Sequence, residues 1–326
     1  MARKLRLESE GGIYHVINRG NYRADIFRSE KTKVAFLNCL DEACAKTGWR
    51  VHAWCLMSNH YHLAIETPSA NLVEGMRWLQ VTFSVRFNRL RAERGHLFQG
   101  RYKSLMVDPD EGLGPLCHYI HLNAVRAKIR PVAALPEWPW SSLCWLVQPK
   151  RRPAWYHAEA SLAHAGGLAD TPAGRARYAK YLDWLSENEP ARKAFKFESM
   201  STGWAIGSSS FKQALVGEHR EAAAALKRGD AETSDLAEAV RQEALSQALA
   251  QVGRKPKDIL KDGKSAPWKV AVAAALKHRT TASNRWLGEN LKLGALHEVS
   301  RKVSAWTRQP DLSFARQLQL TTNHKI

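Results

Sequence analysis

Two histidines separated by a single residue, His60 and His62, form the most distinctive chemical pattern in the sequence. The surrounding residues predict a β-strand, in which alternate side chains point to opposite faces. Both imidazoles then share one face and can reach one divalent cation, whereas a helical metal site would space them three or four residues apart. A surface strand that simply carries two histidines would show the same pattern, so the pair needs further support.

A second pair, Tyr119 and Asn123, lies one turn apart on a predicted helix and therefore on one helix face. The asparagine offers a carbonyl oxygen to a hard metal ion, and the phenol is a potential covalent nucleophile. With a pKa of ~10, tyrosine attacks poorly unless it is assisted, and a metal that polarises a phosphate lowers that demand. An ordinary half-buried helix tyrosine remains an alternative. Spacing does not exclude the rival tyrosines Tyr14, Tyr22, Tyr61 and Tyr102. The histidines that flank Tyr119, His118 and His121, are expected on the helix surface rather than among the ligands.

The elements that must position these residues alternate between strand and helix. Strands are predicted at about 12–20, 49–57, 60–66 and 98–107, and helices at about 30–46, 72–94 and 110–127. Ser29 is suited to cap the first helix and Gly48 to end it. Short turns between neighbouring strands favour an α+β fold, with an antiparallel sheet and helices on one face.

Three regions are predicted from these patterns. The first covers residues 1–150 and closes on a Pro- and Trp-rich stretch; an irregular, partly helical extension follows at 151–217, and a helical region covers 218–326. Residues 268–303 of the last region suggest a helix-turn-helix-like module. Its last helix would present His297, Ser300, Arg301 and Lys302 to duplex DNA. A plain helical bundle that contacts proteins is the alternative.

The composition favours a polyanionic partner. Lysine and arginine number 49 against 31 acidic residues, for a net charge of +18 and an isoelectric point near 9.9. No apolar run approaches the ~18 residues of a membrane span, so no membrane partner is expected. The five cysteines include no Cys-x-x-Cys pair, which argues against a disulfide framework and a thiolate zinc site and predicts a cytoplasmic location.

Four blocks of the sequence resemble the single-tyrosine HUH transposases, and most closely their REP-associated branch, the RAYT proteins. These blocks are Gly12–Asn21, Met57–Pro68, Phe98–Ser104 and Tyr119–Ala127, which occur in the family's order within the first 145 residues or so. Two departures occur. Tyr61 stands between the histidines, where the family usually has a plain hydrophobe, and Ala124 follows Asn123, where proline is frequent. Neither departure removes a group that the chemistry needs.

The resemblance implies a ferredoxin-like HUH domain in which His60 and His62 hold Mg²⁺ or Mn²⁺, with Asn123 at the third ligand position. It also implies that Tyr119 attacks a DNA phosphate and leaves a 5′-phosphotyrosine and a free 3′-hydroxyl. The expected function is the cutting and transfer of single-stranded, hairpin-forming REP-type DNA by a monomer, although a dimer is not excluded. The alternatives are a domesticated DNA-binding or regulatory protein and a relaxase or replication-type nickase.

Single-stranded DNA is bound by cationic grooves that carry aromatic stacking platforms. The candidate contacts follow the first strand, lie on the long helix, or flank the tyrosine helix. They are Arg19, Asn21, Tyr22, Arg23, Arg86, Gln99, Arg101, Lys103 and Arg126. Any one of these residues alone could be part of a solvated surface, so only the set as a whole indicates a DNA-binding surface.

Overall fold

The computed structural model describes residues 7–218 and 231–320, which divide after Phe211 into two compact units. The strands of the first unit are β1 (Gly12–Arg19), β2 (Arg50–Leu56), β3 (His60–Thr67), β4 (Lys103–Val107) and β5 (Ala205–Ile206). Its helices are α1 (Glu30–Thr47), α2 (Leu72–Arg91), α3 (Leu113–His121), α4 (Asn123–Arg126), α5 (Leu143–Val147), α6 (Glu159–Ala163), α7 (Pro172–Glu187) and α8 (Glu189–Ala194), and α9 (Ser209–Glu218) begins at its boundary.

The sheet has the strand order β2-β3-β1-β4-β5, antiparallel except for the parallel β4–β5 pair. Its register places Arg19 of β1 opposite His60 of β3, and Ile17 opposite His62. Because paired residues share a face, one end of the central strand pair brings an arginine and both histidines together.

Helices α1 and α2 cover one face of this sheet. Ser29 caps α1 by accepting a hydrogen bond from the Thr32 amide, and Gly48 ends it in the left-handed region at φ 71°, as predicted. The rings of Phe27 and Phe36 pack against Tyr61 of β3, and the Phe83 ring packs against both phenylalanines. The apolar body of Tyr61 thus faces this core, which leaves the neighbouring histidines to the other face.

The α+β class predicted from the sequence is confirmed, but helices cover both faces of the sheet rather than one. The Tyr119 ring of α3 contacts His62, whose side chain points away from α1 and α2. The second face also carries the apolar residues Ile13, Ala64 and Leu105, all buried. Apolar surface on both faces requires cover on both, and α3 with the segment after it supplies the second layer.

Two element boundaries differ from the prediction. The strand predicted at 98–107 is regular only over β4, since Phe98 makes a single isolated bridge to Gly20. The helix predicted at 110–127 begins only at Leu113, because the Asp108 carboxylate accepts hydrogen bonds from the amides that precede it. It then breaks at Leu122, between α3 and α4.

Residues 151–211 pack into the core of the first unit. Tyr178, Leu182, Phe197 and Ile206 share a hydrophobic cluster with α3 residues such as Ile120. The extension returns to the sheet as β5, where Asp108 accepts hydrogen bonds from the amide and hydroxyl of Ser208. This return brings the segment that precedes β5 close to the second face of the sheet.

The second unit is helical over its described residues. Its helices are α10 (Ala231–Gln251), α11 (Asp258–Lys261), α12 (Pro267–Arg279), α13 (Asn284–Leu291), α14 (Leu296–Arg308) and α15 (Leu312–Gln317). A tight turn with Lys292 at φ 54° and Gly294 at φ 95° joins α13 to α14. Leu287 of α13 and Val299 and Val303 of α14 pack in the core of the second unit. These two helices therefore form a packed helix-turn-helix pair. No described helix of either unit is long and apolar enough to cross a membrane.

Candidate active site

The two histidines of β3 share one face, as the strand alternation predicted. Their ring centroids lie 5.1 Å apart; His60 is half-buried and His62 buried. Burial, reinforced by the charge of Arg19, lowers the pKa of His60 to about 4. Burial and neighbouring positive groups hold the pKa of His62 well below its ordinary value. Both imidazoles are therefore neutral at neutral pH, which is the form that binds a metal.

Among the tyrosines considered, Tyr119 of α3 is the one brought to the histidines. Its ring centroid lies 5.8 Å from that of His62, and the two rings meet edge to face. Tyr61 faces the opposite core, Tyr14 bonds through its hydroxyl to the Ser9 amide, and Tyr22 is 92% exposed on a turn.

Asn123 and Arg126 complete this side of the site. The Arg126 guanidinium lies 4.4 Å above the Tyr119 ring and donates a 3.2 Å hydrogen bond to Oδ1 of Asn123. Nδ2 of Asn123 is buried and has no hydrogen-bond partner among the described residues. The asparagine predicted as a ligand is thus tied through Arg126 to the tyrosine predicted as the nucleophile.

Three residues of the site escaped the sequence analysis. His15 of β1 is fully buried, and its Nε2 lies 2.9 Å from Nδ1 of His62. Ser201 bonds through Oγ to the Tyr119 hydroxyl at 2.8 Å, and Phe197 packs edge-on against the Tyr119 ring. Strand alternation predicts which face of β1 carries His15, but it does not predict which strand lies beside β1. The region around 197–201 lacks a periodicity that would have flagged it.

The histidines that flank Tyr119 were interpreted as helix-surface residues, and that interpretation is wrong. His118 and His121 are both fully buried, and Nδ1 of each bonds to the Tyr178 hydroxyl, at 3.0 and 2.8 Å. Nε2 of His121 also bonds to Oγ of Ser142. Because the extension covers α3, these polar groups find partners inside the protein, and they tie the helix that carries Tyr119 to the extension.

The donors present suit a hard or borderline divalent ion. Two neutral imidazoles and an asparagine oxygen are ligands that Mn²⁺ and Mg²⁺ accept, and Mg²⁺ usually adds waters and substrate phosphates. Within the described residues, no group of three or more histidine, cysteine or acidic side chains could hold a metal. Asn123 carries an amide oxygen of a suitable type, although this Oδ1 accepts a hydrogen bond from Arg126 and the unpaired atom of the side chain is the donor Nδ2.

Cations surround the histidine cluster. Arg19 and Lys103 lie near enough to lower histidine pKa values electrostatically, Arg19 at His60 and Lys103 at His15. Gln99 lies next to Arg19, since its backbone amide donates a hydrogen bond to the Arg19 carbonyl. Arg86 lies elsewhere on α2, where its guanidinium forms a bidentate ion pair with Glu42. The structure therefore groups most, but not all, of the predicted DNA contacts.

Beyond Arg19, a cleft of about 780 Å³ opens at the end of β1. Tyr22 lines the cleft. Tyr22 and its neighbour Arg23 have φ angles of 50° and 61°, a left-handed backbone conformation that residues other than glycine rarely adopt. Exposed basic residues surround the cleft: Arg28, Arg91, Arg94 and His96. An exposed aromatic ring beside cations is an arrangement that binds unpaired nucleotides.

The candidate residues of the second unit differ in their surroundings. Arg301 is exposed and Ser300 half-buried on α14. Lys302, in contrast, donates hydrogen bonds to the carbonyls of Leu293 and Lys264, so it stabilises the turn before its helix.

The comparisons with known proteins concern the first unit. Residues 9–123 match the model of the IS200-like transposases, a stretch that includes both histidines, Tyr119 and Asn123. The match covers about a third of the chain. Among solved structures, the chain is similar to a REP-associated tyrosine transposase bound to a REP hairpin, with 15% identity, a TM-score of 0.39, and coverage of 49% of this chain and 93% of that one. That similarity is too distant to carry an assignment. No curated protein matches the chain.

Proposed function

We propose that the protein cuts single-stranded, hairpin-forming DNA of the REP type by attack of Tyr119 on a phosphate, and then transfers the strand. The observation that carries this proposal is the edge-to-face contact between the Tyr119 ring and His62, 5.8 Å apart, within a segment that matches the IS200-like transposases. A phenol beside a neutral imidazole, whose strand face carries a second neutral imidazole, combines a nucleophile with metal ligands.

In the proposed step, the Tyr119 oxygen forms a bond to phosphorus, and the bond from phosphorus to the 3′-oxygen breaks. The phenol loses its proton, the departing 3′-oxygen gains one, and the 5′-phosphate stays on the tyrosine. Rejoining reverses the step with an incoming 3′-hydroxyl. A bound Mg²⁺ or Mn²⁺ ion, held by His60, His62 and Asn123, would stabilise negative charge on the phosphate. Arg126, above the phenol, is suited to attract the same phosphate.

DNA binding is assigned to the surface that runs from Arg126 and Lys103 through Arg19 to the cleft beside Tyr22. Phosphates would contact the cations, and an unpaired base would stack on the exposed Tyr22 ring. In the second unit, the α13–α14 pair supports an additional proposal of duplex DNA binding through the exposed side of α14. A monomer requires no residue from a second chain, since one chain contains every proposed site residue.

A denaturing gel tests the cleavage proposal. A hairpin oligonucleotide carries its label at the 3′ end, because a 5′-phosphotyrosine retains that side of the cut. With Mn²⁺, wild-type protein and Tyr22→Phe should give a covalent band, whereas Tyr119→Phe and the double variant His60→Ala/His62→Ala should not. Asn123→Ala should need more Mn²⁺ for the same yield. A band that survives in Tyr119→Phe would overturn the assignment of the nucleophile.

One observation favours a second candidate, a DNA-binding protein without cleavage activity. Tyr119 is only 6% exposed, and its hydroxyl is already hydrogen-bonded to Ser201. A pure binder would hold hairpin DNA with the same Kd in wild-type protein and Tyr119→Phe, and would give no covalent band with either metal. The same samples therefore separate the two candidates.

A further inference from the structure

A buried histidine outside the proposed ligand set connects the metal site to the extension. His15 is fully buried, and its ring meets that of His62 with centroids 5.1 Å apart and 25° between the planes. Nδ1 of His15 lies 2.8 Å from the Met200 carbonyl oxygen, and its Nε2 lies 2.9 Å from Nδ1 of His62. Three groups from β1, β3 and the segment before β5 thus form one hydrogen-bonded chain.

The Met200 carbonyl at the end of this series fixes which atom donates in each hydrogen bond. A carbonyl oxygen only accepts, so Nδ1 of His15 must carry the proton and donate. In a neutral imidazole the other nitrogen is then an acceptor, so Nε2 of His15 accepts from His62. His62 must therefore be protonated on Nδ1, which leaves its Nε2 with a free lone pair.

His60 reaches the same tautomer by a separate route. Its Nδ1 lies 2.6 Å from Oδ1 of Asn59, and the Asn59 amide nitrogen donates to the Arg23 carbonyl, which fixes the orientation of that amide. The oxygen can only accept, so Nδ1 of His60 donates and its Nε2 is free. Both histidines of β3 therefore offer Nε2, by two independent sets of hydrogen bonds.

We propose that His15 is a positioning residue that holds His62 in its Nδ1-protonated tautomer for a divalent cation. The hydrogen bond to the Met200 carbonyl fixes the tautomer of His15 itself. The inference rests on the proposed function, because it assumes that His62 is a metal ligand. Partners that orient metal-bound histidines in this way typically change metal affinity about 10- to 100-fold when they are lost. Met200 lies beyond residues 9–123, so the extension contributes to a site within the segment that matches the family.

The first experiment needs no variant and no activity. In metal-free, full-length protein labelled with ¹⁵N-histidine, NMR distinguishes the protonated from the unprotonated nitrogen of each ring. We expect His62 and His15 both to carry their proton on Nδ1. A His62 proton on Nε2 would overturn the proposal, whatever the protein does with DNA.

Two variants then test the consequence for the metal. His15→Gln can still donate to the Met200 carbonyl and accept from His62, whereas His15→Phe keeps a ring but neither bond. We expect Mn²⁺ affinity, measured by electron paramagnetic resonance, to fall about 10- to 100-fold in His15→Phe and to be largely restored in His15→Gln. His15→Gln also keeps the His62 tautomer, so the NMR readout accompanies the affinity.

The outcomes separate this inference from the function on which it rests. If wild-type protein binds Mn²⁺ and His15→Phe binds it equally well, the positioning role is wrong and the proposed function stands. If wild-type protein binds no Mn²⁺, the proposed metal site is wrong and the inference falls with it. Where His15→Phe does not fold, the wild-type tautomer and the affinity of His15→Gln decide.

Discussion

The hydroxyl of Tyr119 lies 2.8 Å from Oγ of Ser201, so the proposed nucleophile is hydrogen-bonded to the extension of its own chain. Phe197 packs against the same phenol, and Met200 bonds to His15. One short segment therefore contacts both the tyrosine and the histidine cluster. We expect the phenol oxygen to give up its bond to Ser201 as it approaches a phosphate.

Removal of the Ser201 hydroxyl should therefore accelerate cleavage. A neutral hydrogen bond contributes about 0.5–1.5 kcal/mol net, which corresponds to an increase of up to about tenfold in single-turnover formation of the covalent band for Ser201→Ala. Ser199→Ala is the matched control, because Ser199 bonds to the Lys196 carbonyl instead. Slower cleavage in Ser201→Ala would mean that Ser201 assists the attack.

Loss of the Tyr178 hydroxyl should destabilise the first unit. That hydroxyl bonds to Nδ1 of both His118 and His121, all three side chains being fully buried. In Tyr178→Phe, two buried polar groups lose a partner, at a cost of about 1–3 kcal/mol each. Urea unfolding should show the loss, with Tyr181→Phe on the same helix as the control. An unchanged midpoint would show that the buried network contributes nothing measurable.

Stability should fall as the pH decreases below about 6.5. Burial lowers the pKa of His118 and His121 to about 3, and of His15 to about 4, from the ordinary value of 6.5. Between these values the unfolded chain binds more protons than the folded one, so protons favour unfolding. Each such imidazole contributes up to about 1.4 kcal/mol per pH unit in this window.

Urea unfolding at pH 7 and pH 5 measures this dependence. The free energy of unfolding should be lower at pH 5, and His121→Gln should show a smaller difference between the two pH values. His96→Gln, at an exposed position, should keep the full difference. Equal stability at both pH values would contradict the burial of neutral histidines.

Arg301→Ala should weaken the binding of duplex DNA by the second unit. Arg301 is exposed on α14. Each phosphate contact contributes about 0.9 to the magnitude of the slope of log binding constant against log salt concentration. Fluorescence anisotropy over a salt series should show a shallower slope for Arg301→Ala than for wild-type protein. Arg285→Ala, whose arginine pairs with Glu289 on α13, is the control. If both variants bind like wild-type protein, α14 does not contact duplex DNA.

Local sequence patterns predicted the elements of the site well, because their causes are local. Alternation placed His60 and His62 on one face, and Ser29 and Gly48 bounded α1. Tyr119 and Asn123 lie on two successive helices, because the predicted helix breaks at Leu122. The resemblance to single-tyrosine transposases agrees with the IS200-like match of residues 9–123.

The remaining parts of the site depend on contacts between distant residues. His15 meets His62 through strand pairing, and Ser201 meets Tyr119 across 82 residues of chain. His118 and His121 looked like surface residues because the helix that buries them, α7, starts 51 positions after α3 ends. Neither periodicity nor spacing encodes such partners. Polar residues buried by a later segment are therefore the ones that the sequence analysis missed.

The most direct test of the central claim is to find which residue carries the DNA. Protein incubated with Mn²⁺ and hairpin DNA is digested with nuclease and protease, and mass spectrometry then locates the nucleotide adduct. We expect an adduct on Tyr119, through a phosphate at the 5′ end of the retained strand. An adduct on another tyrosine, or on a residue of a different type, would contradict it.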